Sequence, residues 1–337
     1  MIQDAIRTVA DRKDLTSEQA AQAMGEVMRG EATPSQIAAY LTALRMKGES
    51  ADELAGSLRV MRDNVIRVDT RGRACLDNAG TGGDGAQTFN ISTTAALVIA
   101  AAGVPVAKHG NRSVSSRCGS ADLLESLGVK IQLDPERARK CLEECGFVFL
   151  FAPAFHPALK HASPVRREIG IRTIFNLLGP IANPAFPKFQ LVGVYSPKVV
   201  EPVAQAIRAT GIERACVFHH ADGLDEVAST GVTHVVEVTQ AETLRYDVTP
   251  EDAGLTRGVL AGLAGGEPET NRQITMDILS GVKGVGRDTV LLTAALALRT
   301  AGAAKDLLEG ASRAAEAIDS GKARGLLDRL VEVTNRP

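Results

Sequence analysis

The chain has 337 residues, of which 45% are hydrophobic, and this is enough to bury a large core in more than one folding unit. The formal net charge is only −2, aromatic residues make up 4% and Trp is absent, which argues against a basic or base-stacking surface for nucleic acid and against binding to anionic membranes. No stretch has the pattern of a signal peptide or a membrane span, and the five cysteines form no CxxC pair, so we expect a cytoplasmic protein with reduced thiols and no zinc site.

The first 70 residues show a helical pattern that no strand interrupts. Three capping boxes, in which a Ser or Thr precedes a Gln or Glu by three residues, begin at Thr16, Thr33 and Ser50. Gly30 and Gly48 stand where helix C-caps are expected. We therefore predict a small all-helical domain over residues 1–70.

Residues 71–337 alternate short β-rich runs with helical runs. The predicted strands cover residues 74–79, 104–108, 129–133, 147–152, 189–195 and 214–219, and the predicted helices among them cover 92–102, 120–127, 135–145 and 199–210. This alternation predicts βαβ units, and hence an α/β domain with a mostly parallel central sheet flanked by helices. We expect residues 289–333 to be mostly helical, and the glycine-rich segments 254–266 and 281–286 to be surface loops.

A glycine-rich motif, GTGGDG at residues 80–85, lies between a predicted strand and the helix that opens with NIST at 90–93. Glycines allow a tight turn that gathers N–H groups around an anion, and the start of a helix adds free N–H donors and a positive dipole end. The pattern therefore predicts a phosphate or pyrophosphate site. It is neither a Walker A loop nor the GxGxxG pattern, and the alternative reading is a tight connection without a ligand.

Two further polar clusters follow predicted strands. Residues 108–116 contain Lys108 and Arg112, which can neutralise phosphate charge, together with hydroxyls that can donate to its oxygens. Residues 222–226 contain two adjacent carboxylates of the kind that hold Mg²⁺. A solvated loop is the alternative in both cases. Because ligands bind beyond the carboxyl ends of parallel strands, we expect both clusters to meet the glycine motif at one edge of the sheet.

A fourth segment contains HPA at 156–158, PVRRE at 164–168 and RTIFNLLGP at 172–180. The guanidinium of Arg166 matches a carboxylate bidentately, and the alternative is an ion pair with Glu168. Residues 172–180 are largely apolar and end at a Gly-Pro stop, which favours a structural role.

Together these segments resemble the anthranilate phosphoribosyltransferase family. The resemblance rests on GTGGDG (80–85), NIST (90–93), KHGNR (108–112), GSAD (119–122), PVR (164–166), RTIFNLLGP (172–180) and DGLDE (222–226), and on GEATP (30–34) and LRMKG (44–48) in the helical opening. It covers nearly the whole chain, the order of the motifs is highly specific, and the C-terminal third matches more loosely.

The resemblance implies transfer of the phosphoribosyl group of 5-phosphoribosyl 1-diphosphate to the amine of anthranilate, giving N-(5-phosphoribosyl)anthranilate and pyrophosphate, in tryptophan biosynthesis. It also implies two Mg²⁺ per monomer, a homodimer with the helical domain at its interface, and the fold shared with pyrimidine nucleoside phosphorylases. Neither nucleic acid nor a membrane is an expected partner.

Carried over residue by residue, the resemblance implies three overlapping sets of site residues. The donor would bind to Gly80, Gly83, Asp84, Thr88, Asn90, Ile91, Ser92, Thr93, Lys108, His109, Gly110, Asn111, Arg112, Ser113, Val114, Ser115, Ser116 and Ser120. Anthranilate would contact Gly80, Asn111 and Arg166, and the metal ions would be held by Ser92, Asp225 and Glu226. Lys108, His109 and Arg166 are the expected catalytic residues; an aryl amine is already neutral at pH 7, so help from His109 is a hypothesis rather than a requirement.

Two other functions fit parts of this pattern. A pyrimidine nucleoside phosphorylase would have Lys-His-Ser before Thr-Gly-Gly, where this chain has Asn78, Ala79 and Gly80. A non-catalytic, nucleic-acid-binding relative is disfavoured by the intact 108–112 segment and Arg166, and by the lack of a basic excess.

Overall fold

Four helices form the first part of the chain in the structure, a computed structural model that describes residues 1–113 and 117–336. They are α1 (Ile2–Ala10), α2 (Ser17–Arg29), α3 (Pro34–Lys47) and α4 (Ala51–Asp63). The three predicted capping boxes are present, since the side chains of Thr16, Thr33 and Ser50 each accept the N–H three residues on, and the side chain of that later residue accepts the cap's own N–H in return. Gly30 ends α2 in the left-handed conformation, with φ of 74°. The prediction that the first part of the chain is all-helical is confirmed.

The rest of the chain alternates strands and helices. The strands are β1 (Leu76–Gly80), β2 (Val106–Gly110), β3 (Phe147–Phe151), β4 (Phe189–Gly193), β5 (Arg214–His220), β6 (Thr233–Thr239) and β7 (Thr243–Val248). The helices are α5 (Ile91–Ala101), α6 (Ser120–Ser126), α7 (Pro135–Cys145), α8 (Ala152–Phe155), α9 (Ser163–Ile169), α10 (Ile174–Leu178), α11 (Val200–Arg208), α12 (Pro268–Leu279), α13 (Val285–Thr300), α14 (Leu307–Asp319) and α15 (Lys322–Asn335). Short 3₁₀ turns cover Pro157–His161, Gly179–Ile181, Pro197–Val199, Glu251–Ala253 and Leu260–Leu263. Across the described ranges, no helix has the length and apolar character needed to cross a membrane.

The seven strands form one sheet in the order β3-β2-β1-β4-β5-β6-β7. The first five are parallel, which confirms the predicted mostly parallel sheet, whereas β6 and β7 extend it as an antiparallel edge that the sequence pattern did not predict. The strand order reverses direction between β1 and β4, since the chain moves to one side through β2 and β3 and returns on the other side of β1. Ligands of open α/β sheets bind at such a switch point, beyond the carboxyl ends of the strands.

Two apolar cores cover the two faces of this sheet. One contains α5, α13 and the C-terminal helices, and α5 is buried almost all round because it lies between the sheet and those helices. The other combines α1 to α4 with α9, α10 and α11 and with alternate residues of the strands. Leu191 faces the first core and Val192 the second, and Cys216 and Val217 divide in the same way. β3, buried on both faces, is apolar throughout rather than alternating, whereas β1 and β2 also bury polar residues such as Asp77 and Lys108.

Three predictions about local structure were wrong. Residues 129–133 form no strand, because Ile131 and Leu133 enter the core as an extended connection into α7 without a pairing partner. β2 continues past the predicted end of the strand at Lys108, so His109 lies within the strand rather than in the loop after it, and both side chains are buried. The 254–266 segment is not merely a surface loop, since Leu263 is fully buried and the following residue pairs with the backbone of Thr88.

Candidate active site

The carboxyl ends of β1 and β4 carry two glycines that let an acidic loop pack directly on the sheet. Gly80 and Gly193 are paired across these strands, and Asp225, which follows β5, lies over both. A Cβ atom on Gly80 would lie 2.5 Å from Oδ2 of Asp225, and one on Gly193 would lie 1.8 Å from its carbonyl oxygen. Only residues without a side chain permit this approach. The carboxylate of Asp225 therefore lies directly against the sheet at the switch point.

The glycine loop, residues 80–85, turns away from β1 through three left-handed residues, Gly82, Gly83 and Gly85, with φ of 67°, 79° and 78°. The Gly82 N–H donates to Oδ2 of Asp225 at 2.6 Å. The Asp225 N–H donates in turn to Oδ2 of Asp84 at 3.5 Å. The predicted meeting of the glycine motif and the acidic cluster at one edge is therefore observed, although one loop N–H is already bonded to a protein carboxylate.

The start of α5 brings a third group to the same place. The Ser92 N–H donates to Oε1 of Glu226 at 3.3 Å, and the Asn78 side chain donates to the Ser92 carbonyl at 2.8 Å. The Asn90 amide, just before the helix, bridges the Cys118 carbonyl and Asn271 instead of capping α5. The first turn of α5 thus faces a carboxylate, as expected for a helix N-terminus.

Of the other residues predicted to bind the donor near the start of α5, one lies at the edge of the site and two lie in the core. Thr88 is half-buried at the loop edge, where it pairs with the 254–266 segment. Ile91 and Thr93 are buried, so their expected part in donor binding is limited to the backbone and to supporting α5.

Burial and mutual repulsion perturb the two carboxyls. Burial first, and then the charges of Glu226 and Asp84, raise the pKa of Asp225 well above its usual range. Burial raises the pKa of Glu226 to about 7, against the opposing effect of Lys108. Carboxylates held together in this way form a hard oxygen donor set of the kind that suits Mg²⁺. In the described part of the chain, no three His, Cys, Asp or Glu side chains are grouped so that they could hold a metal ion by themselves.

Lys108 places a buried cation beside this acidic edge. Its side chain is 2% exposed, and its Nζ donates to the Asn78 carbonyl at 2.5 Å. Burial lowers the pKa of Lys108, while the charges of Asp77 and Glu226 act in the opposite direction. Burying an ammonium group costs stability unless the group is paired. The burial of Lys108 therefore contributes little to the stability of the fold.

His109 is a neutral, buried imidazole, and one of its ring nitrogens has no hydrogen-bond partner among the described residues. Nδ1 lies 3.0 Å from the Gly179 carbonyl and, since a carbonyl only accepts, Nδ1 carries the proton and Nε2 a lone pair. Nε2 has no hydrogen-bond partner within the described residues. Burial, then the neighbouring His156, lower the pKa of His109 to about 3, so the ring is uncharged at neutral pH. The rings of His109 and His156 lie 5.0 Å apart between centroids.

The loop after β2 is held by its own backbone and by α6. The Ser120 hydroxyl and the Ala121 N–H both bond the Asn111 carbonyl, and Gly110 packs closely against Ser120. Arg112 forms ion pairs with Asp122 and Glu125, which raise its pKa, so this predicted phosphate ligand is already partnered. The backbone N–H of Ser113 also bonds Asp122. The three other predicted donor-binding residues of this loop, Val114, Ser115 and Ser116, lie outside the described residues.

Arg166, on α9, is a half-buried arginine that no acidic side chain of the described residues pairs with. Its guanidinium carbon lies 5.1 Å from the centre of the Phe175 ring. Burial lowers the pKa of Arg166, and no carboxylate among the described residues pairs with it, so the alternative ion pair with Glu168 is absent. Arg166 is therefore available to an anionic ligand, because its charge is stacked but not neutralised.

Arg172 is a site residue that the sequence reasoning missed. The apolar character of residues 172–180 favours a structural role, yet Arg172 reaches the glycine loop and donates from Nη1 to the Gly83 carbonyl at 2.5 Å. The same segment supplies the Gly179 carbonyl that orients His109. No spacing rule links residues 89 positions apart, and the available signal was that Arg172 opens RTIFNLLGP, one of the motifs shared with the family.

The fold and this edge define a class of protein: a glycosyl transferase with a helical bundle and an α/β domain. A family model described as the a/b domain of a glycosyl transferase family matches residues 72–324, and one described as its helical bundle domain matches residues 3–65. The chain is 51% identical over 331 residues to the anthranilate phosphoribosyltransferase of Symbiobacterium thermophilum, which covers 98% of this chain and 97% of the relative. It is 53% identical over 337 residues to that of Anaeromyxobacter sp. (strain K), which covers 100% of both.

Solved structures agree. Anthranilate phosphoribosyltransferase from Thermus thermophilus matches with a TM-score of 0.93 at 44% identity, over 99% of this chain and 100% of that one. The Saccharomyces cerevisiae enzyme, solved in complex with PRPP and Mg, matches with a TM-score of 0.90 at 27% identity, over 99% of this chain and 97% of that one. The chain belongs to the anthranilate phosphoribosyltransferase family, and is an enzyme of the glycosyltransferase class.

Proposed function

We propose that this chain carries out its family's reaction, the transfer of a phosphoribosyl group from 5-phosphoribosyl 1-diphosphate to the amine of anthranilate, at the carboxyl edge of β1, β2, β4 and β5. One observation carries the proposal. Asp225 and Glu226 reach across from the β5 loop to the glycine loop and to the first turn of α5, so that metal-binding carboxylates lie against a phosphate cradle. This arrangement suits a substrate that presents a metal-bound diphosphate.

The donor would be held by the glycine loop, the start of α5 and the loop after β2. Backbone N–H groups of the glycine loop and of residues 90–93 would bond phosphate oxygens, and Lys108 would supply a buried positive charge. The remaining proposed contacts come from residues 109–116 and Ser120. Arg112 would have to share its guanidinium with Asp122 and Glu125 or exchange them for phosphate.

Ser92, Asp225 and Glu226 would hold Mg²⁺, and we propose two ions per monomer, one on Ser92 and Glu226 and one on Asp225 and Glu226. When bound, the metal would neutralise the diphosphate and stabilise pyrophosphate as it leaves. The protein's own contribution is to keep these carboxylates buried and close together, which raises their pKa values and makes a cation the favourable partner.

Anthranilate would be oriented by Arg166, Asn111 and Gly80. The guanidinium of Arg166 would bind the carboxylate of the acceptor, because its charge has no acidic partner among the described residues. The lone pair on Nε2 of His109 would accept a hydrogen bond from the amine as it attacks C1 of the ribose. A neutral aryl amine needs little activation, so the site would act mainly by positioning and by stabilising the charge of the leaving group.

One assay tests the activity. The fluorescence of anthranilate should fall when the protein is mixed with 5-phosphoribosyl 1-diphosphate and Mg²⁺, and the fall should stop when a chelator removes the metal. No metal-dependent loss would refute the assignment. The comparisons support this reaction and offer no support for a pyrimidine nucleoside phosphorylase or a nucleic-acid-binding relative.

We also propose a homodimer, a division at residues 70/71 and a cytoplasmic location. The homodimer interface would lie on the helical domain, where Met46 of α3 is 73% exposed. The helical domain would be completed by α9 and α10, which share its core. All five cysteines are free thiols, as expected in a reducing compartment. Light scattering coupled to size exclusion would refute the dimer if it gave the mass of one chain.

A further inference from the structure

Arg172, which lies outside the glycine motif at residues 80–85, is hydrogen-bonded to the glycine loop. Its Nη1 donates to the Gly83 carbonyl at 2.5 Å, and Gly83 is one of the left-handed residues of the loop. In the described part of the chain Arg172 takes part in no ion pair, so its charge is directed to this carbonyl and to an aromatic ring. A charged donor on a carbonyl is stronger than a neutral one.

Tyr195 supports both Arg172 and the loop. The guanidinium carbon of Arg172 lies 4.4 Å from the centre of the Tyr195 ring, within the range of a cation–π contact. The Tyr195 N–H donates to the hydroxyl of Thr81 at 3.0 Å. The glycine loop is thus held at Thr81 and Gly83 by two residues that also hold one another.

The same tyrosine connects the loop to the helical domain. Arg45, on α3, donates from Nη1 to the Tyr195 hydroxyl at 3.2 Å, with its guanidinium carbon 5.8 Å from the ring centre. Tyr195 therefore lies between an arginine of the helical bundle and the arginine that holds Gly83. The position of the helical domain and the conformation of the loop are joined through one ring.

We propose that Arg172, supported by Tyr195, is a positioning residue that fixes the glycine loop in the conformation that binds the donor diphosphate; the inference rests on the function proposed above. Glycine residues lose more freedom on ordering than any others, so a loop with four glycines binds weakly unless something orders it beforehand. In a trans peptide the N–H points away from the carbonyl, so a Gly83 carbonyl fixed on Arg172 fixes the Asp84 N–H on the opposite side. Arg172 acts through the loop and not on the acceptor.

The test is a split between the Michaelis constants of the two substrates. Arg172→Met keeps much of the length of the side chain and removes its charge and donors, and the KM for 5-phosphoribosyl 1-diphosphate should rise about tenfold or more, as for the loss of one charge-assisted hydrogen bond. The KM for anthranilate should stay within about twofold. Arg172→Lys, which restores a donor without the planar fork, should recover part of the donor KM. Arg324→Met, at a partly exposed arginine of α15 that pairs with Asp328, is the matched control and should leave both constants unchanged.

Thermal unfolding with and without donor and Mg²⁺ separates positioning from a general loss of fold. The ligand-free melting temperature of Arg172→Met should stay near that of the wild type. The increase in melting temperature on adding donor and Mg²⁺ should be smaller for the variant than for the wild type. If Arg172→Met does not fold, Arg172→Lys and Tyr195→Leu carry the test with the same expected split. Unchanged donor KM, or equal rises for both substrates, would overturn the inference while leaving the activity in place. A wild-type protein with no metal-dependent activity would instead overturn the proposed function.

Discussion

Replacing Gly80 by Ala tests whether the sheet edge positions a metal-binding carboxylate. The new Cβ would lie 2.5 Å from Oδ2 of Asp225, whereas an ordinary contact is at least 3.4 Å, so the carboxylate must move by about 1 Å. Gly80 is not in the left-handed region, so the substitution adds no backbone strain of its own. The movement breaks the 2.6 Å hydrogen bond from the Gly82 N–H to Asp225.

The expected cost has two parts. Overpacking costs about 1–3 kcal/mol of unfolding free energy. Loss of a hydrogen bond to a charged group costs about 1.5–3 kcal/mol, which corresponds to a factor of roughly ten to a hundred in an equilibrium constant. Because Asp225 is a proposed ligand, the second part should raise the Mg²⁺ concentration that gives half-maximal activity by about tenfold or more.

Initial rates over a Mg²⁺ titration, with saturating substrates, measure the change in the half-maximal Mg²⁺ concentration. Urea unfolding measures the loss of unfolding free energy that overpacking causes. Gly325→Ala is the matched control, since Gly325 is exposed on α15 and nothing lies within 4 Å of the place that its Cβ would take, and a helical Gly to Ala change should stabilise by about 0.5–1 kcal/mol. A Gly80→Ala protein that is destabilised but has an unchanged Mg²⁺ requirement would refute the reasoning, because Asp225 would then serve the fold alone.

Three further substitutions separate the roles of neighbouring residues. Arg166→Met should raise the KM for anthranilate about tenfold or more, since its half-buried guanidinium pairs with no carboxylate of the described residues, and should leave the donor KM unchanged; equal effects on both substrates would contradict this. Lys108→Met should lower kcat/KM about a hundredfold and should also lower the melting temperature, because the buried Asp77 and Glu226 lose the positive charge beside them; an unchanged kcat/KM would limit Lys108 to a structural role. The pKa of His109 is lowered to about 3, so its contribution to stability is complete above the unfolded-state pKa of about 6.5 and is lost as the pH falls. The free energy of unfolding of the wild type, measured in urea, should therefore fall between pH 6.5 and 5. In His109→Gln this fall should be shallower than in the wild type by about 1.4 kcal/mol per pH unit, and an equal slope in both proteins would show that the ring is protonated in the folded state.

Local signals in the sequence predicted most elements. The capping boxes at Thr16, Thr33 and Ser50 depend only on residues three apart, and all three formed as predicted. The predicted strand at 129–133 did not form because an alternating segment becomes a strand only when a partner strand lies beside it, and here Val129, Ile131 and Leu133 enter the core without one. The antiparallel edge of β6 and β7 escaped prediction for the related reason that pairing is not local.

The sequence by itself determined the kinds of groups at the site: a glycine loop, a helix start, a basic strand end and a pair of carboxylates. Only the tertiary structure decided what each of them touches. The left-handed conformation of Gly82 is a local property, but its N–H faces Asp225, which is 143 residues away, because β1, β4 and β5 are neighbours in the sheet. The contact of Arg172 with Gly83 arises in the same way, since packing of the helical domain on the sheet brings the two segments together. Hydrogen bonds and ion pairs act over a few ångströms of space, and distance along the chain does not reveal them.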